Sequence, residues 1–439
     1  MWRRRNPWML CALLTVMPLA QRQHVDAQQH DEGPPLTLRE AVDEAFAKNL
    51  DLIALRRRLE TARLRPGQER FLAPPMLEAQ IWQWPLNTIN PWNTNMYMFM
   101  VSQEIPGGGK RALRTAVAEK DVAMADIDVA VGARQIVDEV KRSYADLFIA
   151  RRAIDIHLAS VDLLRQFADV SQAKYTTGRI SQQDVLKAVL ELSRVHGDLI
   201  KFQQQADLAR VNLNVLLNRP PDAPIGPLTG AGETILNATL QDLQRSAVEQ
   251  QPELRLAQVQ VEQAEARLAV TKSDYKPDFS VTGGYLLMPN QTDAWLGKIG
   301  VTWPRAPWSR GRIDARVAEA TAAVETAKAR QRSMEARVRL AVQQAYVRVK
   351  AAEQRAALLR TTILPQSRQT LDVSRVGYQT DRVEFLALLD NERTLLDAQL
   401  EYFRAISDQQ QALADLERAL GADFSPGMTT TVGAGEVKP

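Results

Sequence analysis

The sequence repeats itself, and that property limits the fold more than any single motif does. Thr37-Leu38-x-Glu40-Ala41 is matched by Thr239-Leu240-x-Asp242-Leu243, 202 residues further on. Asn49-Leu50-Asp51-Leu52 is matched by Gln251-Pro252-Glu253-Leu254 at the same separation, and Tyr144 by Tyr346. Tyr175-Thr176-Thr177-Gly178-Arg179-Ile180 then faces Tyr378-Gln379-Thr380-Asp381-Arg382-Val383, now 203 residues apart. Leu186, Leu192, Leu213 and Leu217 meet Leu389, Leu395, Leu416 and Leu420 in that register. A register kept through helical and non-helical stretches alike is the mark of a duplicated unit, so any fold for this chain is built twice.

Each unit reads as a short helix, a helix, two strands, a very long helix, a break and another long helix. Thr37 and Thr239 stand as N-caps, each with an acidic residue three positions on. Beyond Gly109, as far as about Gln172, there is no proline and only one glycine, Gly132. Over that stretch Ile136, Val140, Tyr144, Leu147 and Phe148 recur at three and four positions. A helix of that length is a rod of about 95 Å. Arg310 to Leu364 repeats the pattern and is expected to stop before Pro365, with further helix beyond it. Rods this long and rich in Ala, Gln and Arg pack laterally, as coiled coils do.

The strands alternate. Phe279 to Tyr285 and Trp295 to Trp303 place apolar residues between small or polar ones, so Trp295, Ile299, Val301 and Trp303 share one face and Lys298, Gly300 and Thr302 the other. In the first unit Tyr97, Phe99, Val101 and Ile105 oppose Met100, Ser102 and Glu104. Alternation over about ten residues with aromatics near the ends fits a membrane barrel strand, and it fits a half-buried strand of a soluble sheet equally. Four strands cannot close a barrel, and an open edge in lipid leaves backbone groups unsatisfied. A membrane reading therefore requires several copies to pool their strands.

The N-terminus has the form of a leader. Arg3, Arg4 and Arg5 precede an apolar stretch from Trp8 to Ala20, too short to span a bilayer and of the right length for a signal-peptide core. Cleavage is expected after Ala20 or Ala27. The organisation is thus a signal peptide over 1–27, a first repeat over 28–235, a second over 236–421 and a disordered tail over 422–439. Cys11, the only cysteine, falls in the leader, which leaves no thiol for a disulfide, a thiolate metal site or a nucleophile.

Several function classes fall away. Lys+Arg (55) nearly balances Asp+Glu (52), and no basic stripe with interleaved aromatics exists, so nucleic acid is not an expected partner. Gly107-Gly108-Gly109-Lys110-Arg111 imitates a phosphate loop, but Glu104 and Arg111 stand where that loop needs Gly and Ser or Thr. It reads as a strand-to-helix turn. His24, His30, His157 and His196 form no ligand-spaced pair, and there is no Gly-x-Ser-x-Gly elbow. Neither catalysis nor a cofactor is expected.

Taken in order, these features resemble the TolC-like outer-membrane efflux family over about residues 36 to 421. The matching segments are Leu36-Thr37-Leu38-Arg39-Glu40-Ala41-Val42, then Gln103-Glu104-Ile105-Pro106 with Gly109-Lys110-Arg111, and Tyr175 to Leu186. The resemblance implies a mainly α protein with a small membrane β-barrel, its twelve strands pooled over a homotrimer in outer-membrane lipid. It also implies a helical tunnel into the periplasm, meeting a periplasmic adaptor (membrane-fusion) protein and an inner-membrane resistance-nodulation-division pump. Such a protein is a passive exit duct. The wording from Ile105 to Arg111 is similar to members serving heavy-metal pumps, which points to heavy-metal cations as cargo. The competing reading is a soluble periplasmic coiled-coil scaffold or adaptor, which has no use for aromatic-ended strand faces.

The same resemblance nominates residues. Tyr175, Gly178, Arg179, Tyr378 and Asp381 fall at the tips that would meet the adaptor. Asp390 aligns with one of two aspartates that narrow the periplasmic aperture; the other falls on Ala387, so a double ring is not reproduced. Arg382 and Glu384 are placed to pair and hold the tip closed. Separately, Met96, Met98 and Met100 alternate and so share one strand face, which the second unit's register turns inward beside Lys298, Gly300 and Thr302. Thioethers suit soft ions such as Cu(I), making these candidate lumen methionines, with plain strand packing as the alternative.

Overall fold

Thr37 starts the first helix as its spacing predicts: its side chain accepts from the Glu40 N–H, and the Glu40 carboxylate accepts from the Thr37 N–H in return. Thr239 does the same for Asp242 N–H in the second unit. The computed structural model describes residues 33–91, 93–229, 232–289, 291–425 and 427–432. The expected leader, with Cys11, His24 and His30, lies outside the described residues.

In chain order, β1 (Leu36–Thr37), α1 (Leu38–Lys48), α2 (Leu50–Arg63) and α3 (Arg65–Arg70) precede the hairpin of β2 (Met76–Trp82) and β3 (Met96–Ile105). Then come α4 (Lys110–Thr176) and α5 (Gln182–Leu216). The second unit runs β4 (Leu228–Thr229), β5 (Glu233–Leu236), α6 (Leu240–Gln250), α7 (Pro252–Ser273), β6 (Phe279–Leu287) and β7 (Ala294–Val301). It closes with α8 (Pro307–Leu358), a π turn (Leu359–Ile363), α9 (Leu364–Gln379), α10 (Phe385–Leu420) and β8 (Thr429–Val432).

The rod α4 is 67 residues long and unbroken, about 100 Å of helix. It lies against α5 and α10, and nearer the sheet against α2 and α7, so one helix touches both units. Val140, Tyr144, Leu147 and Leu164, at helical spacing, are almost wholly buried.

The second rod departs from the expectation at Pro365. The helix does not stop there; it passes through the π turn and continues as α9 to Gln379. Pro365 sits in the first turn of α9. A proline inside an α-helix lacks a donor and collides with the carbonyl four residues back, and the wider π turn takes that carbonyl out of line.

The two hairpins join in one antiparallel sheet, ordered β2-β3-β6-β7, with Val101 opposite Gly283 at the junction. Strand β2 is one that sequence reasoning did not place. Opposed residues point to the same side, which sorts the faces. One carries Leu77, Ile81, Phe99, Val101, Ile105, Phe279, Val281, Trp295, Ile299 and Val301; the other carries Glu78, Gln80, Ser102, Glu104, Ser280, Thr282 and Lys298 together with the methionines. The apolar face is uncovered: Trp295 is 83% and Ile299 77% exposed. Both edge strands, β2 and β7, have an unpaired side. Helices attach at one end of the sheet, and the hairpin loops 83–95 and 288–293 lie at the other.

Halfway along the rods, two small sheets clasp the bundle. The parallel β1–β4 pair is fixed by the Tyr144 hydroxyl, 2.8 Å from the carbonyl oxygens of Leu36 and Thr229. The antiparallel pair β5–β8 draws on the stretch expected as a disordered tail over 422–439. That expectation fails for Thr429–Val432: the backbone of this segment pairs antiparallel with the open edge of β5, while Phe424 and Met428 pack on the core behind it.

Candidate functional site

The helix arms turn at two neighbouring tips. At the first, Gly178 takes φ +73°, a left-handed conformation that glycine adopts without penalty. Its N–H donates to Tyr175 O at 2.9 Å, and the Arg179 N–H to Lys174 O at 3.0 Å. At the second, Asp381 takes the equivalent conformation with φ +61°, and the Arg382 N–H donates to Gly377 O at 2.8 Å.

One chain ties its own tips together. Lys174 Nζ lies 2.6 Å from Asp381 Oδ1, and Arg179 Nη1 3.5 Å from Asp381 Oδ2. Lys174 also donates to the Tyr378 carbonyl and sits 4.2 Å from the centre of the Tyr378 ring. The hydrogen bond from Lys174, then its charge, holds the Asp381 carboxyl below the usual carboxylate range. Lys174 was missed by sequence reasoning, because its partner is 207 residues away and its counterpart in the second unit is Gly377.

Tyr175, Gly178, Arg179 and Asp381 are exposed at this end, as their nomination as tip residues requires. Tyr378 is not. It is 4% exposed, its hydroxyl 3.1 Å from Ser171 Oγ and its ring 5.4 Å from that of Phe385. Tyr175 is 41% exposed. The two tyrosines are equivalent in sequence and opposite in placement, because the second tip lies inside the cluster of Leu371, Phe385, Leu388 and Leu389. Arg382 and Glu384, expected to pair, form no ion pair among the described residues; the contact between tips belongs to Lys174 and Arg179 instead. Glu384 is the N-cap residue of α10, with no side-chain cap bond.

Asp390 lies on the exposed stripe of α10 with Leu386, Ala387, Thr394 and Asp397. It makes no ion pair among the described residues. Two positions on, Glu392 points inward at 3% exposure. It accepts from Ser160 Oγ of α4, while its Oε2 has no hydrogen-bond partner. Burial pushes this carboxyl up to about 7, helped by the nearby Glu191 charge and opposed by the Ser160 bond and Arg393. Arg393 instead grips Glu191 of α5 with two hydrogen bonds, one of them 2.8 Å from Nε to Oε1. None of this was legible beforehand: an acid on a charged helix reads as solvated until its neighbours are known.

At the sheet, Met96, Met98 and Met100 share the polar-bearing face, as the alternation predicts. They occupy its loop-side half with Leu286, Ala294 and Leu296, while Ser102, Thr282, Lys298 and Gly300 lie toward the helices. Met100 rests on Gly284, where an added Cβ would come within 2.9 Å of its Cγ. The glycine-rich turn is closed to phosphate. Lys110 is 4% exposed and spends its ammonium on Asp278 at 2.8 and 2.9 Å, while a Cβ on Gly107 would collide with the Pro277 carbonyl. His157 Nδ1 and His196 Nδ1 are each 2.7 Å from a carbonyl one helical turn back. Among the described residues no three His, Cys, Asp or Glu side chains converge as a metal set. No described helix is long and apolar enough to cross a membrane.

Comparison with known proteins agrees with this geometry. A family described as outer membrane efflux protein matches residues 41–219 and again 243–422, once in each unit. The cobalt-zinc-cadmium resistance protein CzcC of Cupriavidus metallidurans is 24% identical over 390 residues, covering 88% of this chain and 90% of that one. Among solved structures, the outer-membrane channel OprN superposes with a TM-score of 0.73 at 19% identity, over 88% of this chain and 90% of that one. CusC, described in terms of folding and transmembrane channel formation, gives 0.74 at 18% identity over 88% and 92%.

Proposed function

Since the chain belongs to the outer membrane efflux protein family, matched in both of its halves, we propose that it is the exit duct of a tripartite efflux system. The observation that carries this reading is the sheet: an uncovered apolar face, a polar opposite face, and two unpaired edges at the end of a helical body. Edges of that kind are tolerated in lipid only when closed. Three copies pairing β2 to β7 supply a twelve-stranded barrel with the apolar face in the outer membrane. The rods then extend about 100 Å into the periplasm, where the tips at Tyr175, Gly178, Arg179 and Asp381 meet an adaptor and, through it, an inner-membrane resistance-nodulation-division pump. The leader (1–27) exports the chain, and the two repeats (28–235 and 236–421) each supply two barrel strands and one helical arm.

Heavy-metal cations are the cargo suggested by the likeness to a cobalt-zinc-cadmium resistance protein. The duct is passive and selects by size and charge. Asp390, exposed on α10 and free of ion pairs among the described residues, would appear three times around the axis, and three carboxylates there repel one another and attract cations. Arg382 and Glu384 lie beside this aperture, available to groups on a neighbouring copy.

Single-channel recording in planar bilayers tests the reading. Discrete, cation-preferring pores are expected, with conductance raised and cation preference lowered by Asp390→Ala. Pores unchanged by that substitution would retain the duct and remove the gate; folded protein that never forms pores would overturn the duct.

A further inference from the structure

The two hairpin loops at the far end of the sheet differ in chemistry. Loop 288–293 carries a charge, Asp293, which accepts from the Met288 N–H at 3.0 Å and from the Tyr285 hydroxyl. Loop 83–95 carries no Asp, Glu, Lys, Arg or His in thirteen residues, and its prolines, Pro85 and Pro91, remove two backbone donors. Among its described residues, Leu86 is 108% exposed, Ile89 93% and Trp84 44%.

The loop is ordered by its own polar groups. Thr94 Oγ1 donates to Trp82 O at 2.6 Å, Asn95 Nδ2 to Gln83 Oε1 at 2.7 Å, and Asn93 Nδ2 to Thr88 Oγ1 at 3.3 Å. The Asn93 N–H is taken by Asn90 O at 3.1 Å, and the Asn90 N–H by Thr88 Oγ1 at 3.1 Å. Groups satisfied in this way can leave water at low cost. The Tyr97 hydroxyl donates to Pro91 O. Tyr97 stands opposite Ile81 and Leu287 on the apolar side of the sheet, two residues from Phe99. That bond draws the loop toward the apolar face and away from the side that bears Glu78, Gln80 and Lys298.

We propose that loop 83–95 is a lipid anchor, seating Leu86, Ile89 and Trp84 among the headgroups and upper acyl chains of the outer leaflet at the barrel rim. An uncharged loop with an apolar tip, braced by its own side chains and continuous with a sheet face assigned to lipid in the barrel reading, has the chemistry of an interfacial segment. Aliphatic side chains exposed this fully, in water, would be a liability. The inference rests on the barrel reading above, and it makes the outer rim asymmetric, with one gripping and one solvated loop from each copy.

The test uses the full chain, in which Cys11 is the only cysteine and is replaced by serine. Leu86→Cys, Ile299→Cys and Gln291→Cys are labelled singly with an environment-sensitive fluorophore and reconstituted into phosphatidylcholine vesicles containing acyl-brominated lipid. The expected result is at least twofold quenching by the brominated lipid at positions 86 and 299, and quenching by aqueous iodide at 291. Iodide quenching at 86 with lipid quenching kept at 299 would overturn the anchor and leave the barrel intact. A label at position 86 shielded from both quenchers, with unlabelled Leu86→Cys protein cross-linking between copies on oxidation, would overturn it in favour of contact between copies over the mouth. Loss of lipid quenching at 299 would overturn the barrel and the anchor together.

Discussion

Gly178 and Asp381 occupy the same place in the two repeats, and the chain turns at both with a left-handed backbone. The first tip is a glycine turn with open space around it, and it leaves Tyr175 at the surface. The second places an aspartate in a conformation that ordinary residues avoid, binds its carboxylate with Lys174 and Arg179 from the first tip, and buries Tyr378. The rods behind them differ in the same sense. The α4 rod is continuous, whereas the second arm is interrupted by a π turn, with Arg360 of that turn held by Glu233, 3.0 Å away, which also accepts from Tyr402. Duplication supplied two equal hairpins; divergence has made one a plain turn and the other a fastened one. Separating the two tips of one chain would break the Lys174 and Arg179 contacts to Asp381.

The largest test of that contrast sets the tyrosines against each other. Tyr378→Ala empties a buried, ring-packed site and should cost about 3 kcal/mol, while Tyr175→Ala should stay within about 0.5 kcal/mol. Thermal unfolding of both variants in detergent decides it, and equal losses would remove the asymmetry.

The next test concerns Glu392, whose counterpart in the first arm is the exposed Val189. Its folded carboxyl titrates near 7, above the unfolded value of 4.5. The neutral acid is therefore the favoured folded form; the associated stability is complete below about pH 4.5 and is lost as pH rises to 7. Between pH 5 and pH 8 this group should remove on the order of 2 kcal/mol per chain. Glu392→Gln should flatten that part of the pH–stability curve and unfold at a higher temperature than the parent at pH 8; a parallel curve would place the carboxyl in water.

The smallest effects lie at the turns themselves. Gly178→Ala should cost about 1 kcal/mol through its positive φ. Asp381→Gly loses the tether but relieves the backbone, so it should unfold later than Asp381→Ala, which loses the tether and keeps the strain. In bilayers both Asp381 variants should spend longer in the conducting state than the parent. Variants that gate as the parent does would show that the Lys174 contact does not hold the second tip.

Much of this fold was legible in the sequence. The duplication, the caps at Thr37 and Thr239, the rod from Gly109 and the two faces of β3 and β7 all rest on local spacing, which the chain obeys. The failures come from long-range choices. Pro365 reads as a stop because a π turn leaves no mark in composition. Tyr378 reads like Tyr175 because burial is set by Phe385 and Leu388 rather than by its own neighbours in the sequence. The threonines at 429–431 read as tail until β5 offers an edge. At the tips, spacing identified the turn residues but not Lys174, whose role depends on a partner in the other repeat.

In the proposed duct, the open edges β2 and β7 are closed by other copies of this chain in the outer membrane. Native mass spectrometry of protein extracted from outer-membrane fractions tests it most directly. Three copies per particle, dissociating in detergent only on heating, are expected. A single chain that fractionates with the soluble periplasm, its sheet edges unpaired, would contradict it.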